Sequence, residues 1–129
     1  AIADFNLDGK MDALIVNRNE SVRIWRNVST DLGHWLGIRL QQANSNRDAI
    51  GAWIEVKLGD KIMRREISVG GGHVSGINNF WHFGLGQLDA AQVRVIWPDQ
   101  TQDEWQDVKA DKFYLLKRGS PIVEWNSGL

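Results

Sequence analysis

IGAWIEVKLGDKIMRREISV, residues 50–69, decides the fold. Ile50, Ala52, Ile54, Val56 and Leu58 occupy alternate positions, the period of a strand with one buried face. Gly59 and Asp60 supply a tight turn, and Met63, Arg65, Ile67 and Val69 alternate on the way back. The pattern predicts a long hairpin with Gly59-Asp60 at its tip. A helix needs apolar residues at three- and four-residue spacing, and no segment here carries that period convincingly.

Downstream, residues 68–88 read SVGGGHVSGINNFWHFGLGQL. Glycine at this density argues against helix and for a structured crossover between two sets of strands. Phe80, Trp81 and Phe83 argue that the crossover is packed down. Val93, Val95 and Trp97 alternate with Arg94 and Ile96, and Pro98-Asp99 stops that strand. Trp105 and Val108 mark a further short strand. Residues 112–117 and 121–125 are the last two, broken at Gly119-Ser120. Short strands separated by turn signals predict an all-β chain, an antiparallel sandwich or barrel of about eight strands.

Upstream, Leu36, Ile38 and Leu40 alternate on one face of a strand, and a polar, Asn-rich loop at 41–47 follows it. Residues 29–33 are small and polar and mark a module boundary, which divides the chain into 1–30 and 31–129. Before it, 13–16 and 21–28 read as two strands joined by a turn-rich link. A lone hairpin is marginal in water, so it must pack on the downstream module or pair with another copy.

Ahead of that hairpin stands DFNLDGKMD, residues 4–12. Asp4, Asn6, Asp8 and Asp12 place oxygens at alternating positions, Gly9 allows a sharp turn, and Lys10 offers its carbonyl. This is the first half of a calcium loop. The bidentate Glu of an EF-hand is absent, since Ile15 stands in its place, and the loop leads into a strand. The plain alternative is an Asx-rich turn without metal. The loop and the strands after it resemble an FG-GAP or VCBS repeat, the blade unit of integrin-type propellers. That resemblance covers about the first 28 residues and implies a calcium that stiffens the blade.

The formal net charge of −1 disfavours binding driven by phosphate neutralisation. No apolar run is long enough to span a bilayer. The absence of cysteine excludes disulfides and thiolate zinc sites. Seven tryptophans are many for 129 residues. They either fill a core or, for one or two of them, stand exposed as stacking platforms for sugar rings.

Four ordered motifs, HWLGIRL (34–40), SNRDAIGAWIEV (45–56), the pair VGGGHVSG and HFGLG (69–76 and 82–86), and VRVIWPD (93–99), resemble the ASPIC/UnbV domain of cartilage acidic protein-like chains. That family often carries WPSG where this chain has Trp97-Pro98-Asp99-Gln100, so a differently shaped turn is expected. The resemblance implies an extracellular all-β module with no established reaction.

Residue chemistry points the same way. His34, His73 and His82 lack metal-ligand spacing. Ser75 lacks the flanking glycines of a nucleophile elbow. Asp103, Glu104 and Asp107 read as a solvated strand edge. No paired carboxylates share a strand face as glycoside hydrolysis requires. The expected function is a non-catalytic interaction or adhesion module of the cell exterior or envelope, with a structural calcium and an unknown protein or glycan partner. A carbohydrate-binding module using exposed Trp and polar loop residues is the alternative. The expected ligand patch joins Arg47 and Asp48 to the glycine loop at His73, with Trp81 and His82. In the plainer reading Arg47 and Asp48 only staple that loop. Self-association through the N-terminal hairpin is a further expectation.

Overall fold

The computed structural model describes residues 1–43, 45–71, 76 and 78–126. They form two compact units, Ala1–Leu32 and Gly33–Leu129. Among them no helix is long and apolar enough to cross a membrane.

The first unit is a three-stranded antiparallel sheet of β1 (Ile2–Ala3), β2 (Asp12–Ile15) and β3 (Arg23–Trp25), in that order. Strand β1 is an addition to the expected hairpin. It pairs Ile2 with Ala13 and Ala3 with Asp12, so the acidic loop is the connection between two paired strands. No residue of β3 is buried.

The second unit is a sandwich. One sheet has the order β11-β10-β4-β7 and the other β6-β5-β8-β9. These strands are β4 (His34–Gln41), β5 (Trp53–Leu58), β6 (Lys61–Glu66), β7 (Trp81–Gly86), β8 (Ala90–Ile96), β9 (Gln106–Lys109), β10 (Lys112–Lys117) and β11 (Val123–Trp125). Neither sheet closes on itself, which decides for a sandwich over a barrel. One core fills the space between them. Leu36, Ile38 and Leu40 of β4 and Phe83 and Leu85 of β7 meet Ile54 and Val56 of β5 and Val93 and Val95 of β8. Burial at every second residue is what the strand period requires.

The β5–β6 hairpin turns at Gly59, whose φ of +57° suits a tight hairpin. Its base is longer than its strands. Ile67 N donates to Ala52 O and Gly51 N to Ile67 O, both at 2.8 Å. Residues 49–51 do not extend β5, because Ala49 and Gly51 take φ of +55° and +87°. One pairing departs from the antiparallel expectation: β10 runs parallel to β4, with Tyr114 beside Ile38.

The outer face of the β5–β8 sheet is sealed by charge. Glu55 points away from the core and is nonetheless fully buried. It pairs with Arg64 on one side and with Arg94 Nε at 2.5 Å on the other. The Arg94 guanidinium lies 4.5 Å from the Trp105 ring centre. This is how a carboxylate tolerates burial: two guanidiniums and an aromatic lid replace its water.

The Trp97 turn is also tied down. Trp97 is buried, and its indole N–H donates to Asp103 at 2.8 Å. Asp103 therefore braces the core, while Asp107 accepts from Gln92 on the open strand surface. Arg118 reaches across to Asp99 at 2.6 Å and to Thr101 Oγ1 at 2.7 Å. Gln100 in that turn adopts φ of +68°.

Candidate functional site

The outer face of the β11-β10-β4-β7 sheet carries an aromatic cluster. Trp35, Gly37, Arg39 and Gln41 alternate with the buried residues of β4, and Phe113 and Leu115 alternate with buried Tyr114 and Leu116 of β10. Phe113 is the hub. Its ring centre lies 4.7 Å from Trp35, 4.9 Å from Phe80 and 5.8 Å from Trp125. Trp35 stacks on His82 at 6.0 Å. Gly37 makes room for the hub, since a Cβ there would stand 2.2 Å from Phe113 Cδ1. Tilted aromatic pairs of this kind add about 0.5–1.5 kcal/mol each beyond the area they bury. Strand β11 and Phe80 are thereby fixed on the sheet.

Beside this cluster opens a cavity of about 270 Å³ lined by Arg39, Gln41, Arg47, Asp48, Leu115 and Trp125. Arg39 and Gln41 come from the end of β4, Leu115 from β10 and Trp125 from β11. Arg47 and Asp48 come from the loop after β4, whose described residues are tied by local hydrogen bonds. Gln42 N donates to Arg47 O at 2.9 Å and Gln42 Nε2 to Asn46 O at 2.8 Å. Asn46 clasps Ile50 from both sides, its Nδ2 donating to Ile50 O and its Oδ1 accepting from Ile50 N, each at 2.9 Å.

Inside the cavity the charges are unequal. Arg39 lies 3.7 Å from Asp48, and Asn78 bridges them, accepting from Arg39 at 3.4 Å and donating to Asp48 at 3.5 Å. Arg47 is exposed, and its side chain has no ion-pair or hydrogen-bond partner among the described residues. The cavity thus holds two guanidiniums, one carboxylate, a half-buried indole and an aliphatic wall.

Arg47 and Asp48 both line the cavity, and Asp48 accepts from Asn78 at the far end of the glycine-rich crossover. Trp81 and His82 are placed differently. Both lie on β7, where Trp81 packs on the core with Arg65 over its ring, and His82 faces outward onto Trp35. Neither lines the cavity. His73 lies outside the described residues. Sequence reasoning missed Arg39, Gln41, Leu115 and Trp125. One signal pointed to Leu115: KFYLLK at 112–117 is apolar on both alternations, which marks a strand covered on both faces.

The acidic loop is the second constellation. Its donor set is all oxygen, the chemistry of a hard cation such as calcium. Its hydrogen bonds are those of an Asx network. Asp4 accepts from Asp8 N at 3.1 Å and from Gly9 N at 2.7 Å. Asp12 accepts from Phe5 N at 3.1 Å and Asn27 N at 2.8 Å. Asp8 accepts from Asn6 Nδ2 at 2.9 Å and Lys10 N at 3.0 Å, and Arg26 lies 3.4 Å away. The Asn6 amide, the Lys10 N–H and the Arg26 guanidinium hold the Asp8 carboxyl below its ordinary range. Among the described residues no three His, Asp or Glu side chains converge as a metal site requires. The residue types fit calcium, and in this arrangement the carboxylates are turned to backbone and side-chain donors.

A comparison with family models bears on the sandwich. The model described as ASPIC and UnbV matches residues 42–123. The chain belongs to the ASPIC and UnbV family. No curated protein matches it. In this ASPIC/UnbV chain the matched stretch contains Arg47, Asp48 and Leu115, while Arg39, Gln41 and Trp125 fall outside it. The matched stretch and the segments flanking it therefore build the cavity jointly. The acidic loop lies wholly outside the match.

Proposed function

We propose that this ASPIC/UnbV chain is a non-catalytic interaction module of the cell exterior or envelope, and that the cavity beside the Phe113 cluster is where it engages its partner. The observation that carries this is Arg47, a guanidinium unpaired among the described residues, on a hydrogen-bonded loop beside a cavity that also offers an indole. A rigid scaffold presenting loop residues is the usual construction of a recognition site.

A glycan partner is the second reading, and one observation supports it: an indole, Trp125, borders the polar cavity. Of the seven tryptophans, Trp97 is buried and only Trp25 and Trp53 count as exposed, so a flat multi-ring platform has no support. The rings around Phe113 meet at 51–84° rather than in one plane. A single indole bordering a polar cavity suits capture of one sugar ring.

The test is an array of polysaccharides and matrix proteins probed with the full chain and with an Arg39→Ala, Arg47→Ala double variant. The expected result is reversible capture without chemical change in the captured molecule, lost in the variant. Turnover of that molecule, or capture undiminished by the variant, contradicts the reading.

For the first unit we propose an FG-GAP or VCBS-type repeat in which Asp4, Asn6, Asp8, Asp12 and the Lys10 carbonyl hold a structural calcium. Binding requires Asp8 to exchange Arg26 for the cation. Val22, Ile24 and Trp25, all exposed, then serve as a face for a second copy.

A further inference from the structure

We propose that the cavity takes a carboxylated sugar, a hexuronate residue within a glycan chain. The inference rests on the cavity being the recognition site and adds the class of ligand.

Size comes first. At about 270 Å³ the cavity falls just below the roughly 300–1,000 Å³ of sites that enclose a drug-sized molecule. It suits one ring of a longer chain that continues into solvent.

Charge comes next. Arg39 is partly neutralised by Asp48 at 3.7 Å and oriented by Asn78. Arg47 is left over, so the cavity carries one net positive charge. A single carboxylate matches that balance, and a planar guanidinium binds a carboxylate through two parallel hydrogen bonds. A phosphate bearing close to two charges would meet Asp48 as a like charge within the same small space.

The remaining surface is that of a sugar site. Trp125 and Leu115 offer an apolar border for the C–H face of a pyranose ring. Trp125 is held by Phe80 at 4.9 Å and Phe113 at 5.8 Å, so its indole is oriented before binding. Gln41 and Asp48 supply a neutral donor–acceptor and a charged acceptor for ring hydroxyls. An acidic peptide would satisfy Arg47 and leave the indole and the hydroxyl partners without a counterpart.

The experiment is titration calorimetry on the full chain with four probes: a glucuronate-containing hexasaccharide, the same hexasaccharide with its carboxyls reduced to alcohols, an Asp/Glu-rich peptide, and inorganic phosphate. Wild type, Arg47→Ala and Arg47→Lys are compared, because Arg47 is exposed and its removal leaves the core intact. Reduction of the carboxyls should weaken binding about tenfold. Arg47→Ala should weaken the acidic sugar by a similar factor and the reduced sugar by clearly less. Arg47→Lys should fall between, keeping the charge and losing the fork. Equal binding of the two sugars overturns the acidic class while leaving the cavity as a glycan site. Preference for the peptide or for phosphate, or no binding of either sugar at millimolar concentration, overturns the proposal as a whole. The broader reading stands or falls separately, on the double variant in the array.

Discussion

At Gln100 the backbone holds φ at +68°, a conformation that costs a side-chain-bearing residue roughly 1–2 kcal/mol. The turn persists because its surroundings fix it: Gln100 N donates to Trp97 O and Trp97 N to Thr101 O, both at 2.8 Å. Gln100→Gly should raise stability by about 0.5–1 kcal/mol, the relief of strain less the extra entropy of an unfolded glycine. Thermal melting reads this as a rise of a few degrees; an unchanged or lower midpoint contradicts it. Next to it, Asp99 has its carboxyl pulled down to about 2, first by the Arg118 guanidinium and then by the Thr101 hydroxyl. A depressed carboxylate stabilises the fold above its unfolded value near 3.8, and that contribution is lost as pH falls toward 2. Asp99 is half exposed, so the effect on stability is small. The direct readout is the carboxyl titration by NMR, which Arg118→Met should shift upward toward 3.8. An unmoved midpoint rejects the pairing. Gly37→Ala is the steric counterpart. Its Cβ meets a ring penned in by Trp35, Phe80 and Trp125, and overpacking of this kind costs about 1–3 kcal/mol.

Among the elements, the β5–β6 hairpin was the most legible, because alternation, a glycine turn and short range all sit within twenty residues of sequence. The parallel pairing of β10 with β4 was not legible. Alternation says which face of a strand is buried and nothing about which distant strand lies beside it. That limit explains the site. Arg47 and Asp48 are chain neighbours and were readable together. Arg39, Leu115 and Trp125 join them only once β4, β10 and β11 are ordered in one sheet. Trp81 and His82 followed from the glycine-rich crossover as one surface, yet as adjacent residues of β7 they point to opposite faces. Glu55 tests the elements of the other sheet. Removing one partner of a buried ion pair costs roughly 3–5 kcal/mol. Glu55→Ala leaves Arg64, which is largely exposed and can turn to water, and Arg94, which is mostly enclosed. The expected loss is therefore near the low end, about 3 kcal/mol, measured by denaturant unfolding. A loss under about 1 kcal/mol, the scale of a surface pair, contradicts the role given to the triad.

For the whole molecule, the two units make separate claims. The sandwich carries the family match and the cavity. The first unit carries the calcium proposal, and its carboxylates already serve backbone donors. Affinity should accordingly be weak, about 10⁻⁴–10⁻³ M as in extracellular modules. Calorimetry should register millimolar calcium in the full chain and none in Asp8→Ala. Silence in both, or an equal signal in both, removes calcium from the account. The seven indoles offer the most direct test of the central claim, that recognition occurs at the cavity. Each indole N–H gives its own NMR signal, and the tryptophans are spread over both units and both sheets. On titration with the glucuronate hexasaccharide, the Trp125 signal should move in step with the Arg39 and Arg47 guanidinium signals, while exposed Trp25 and Trp53 stay where they are. Movement of Trp25 or Trp53 with Trp125 silent contradicts the account.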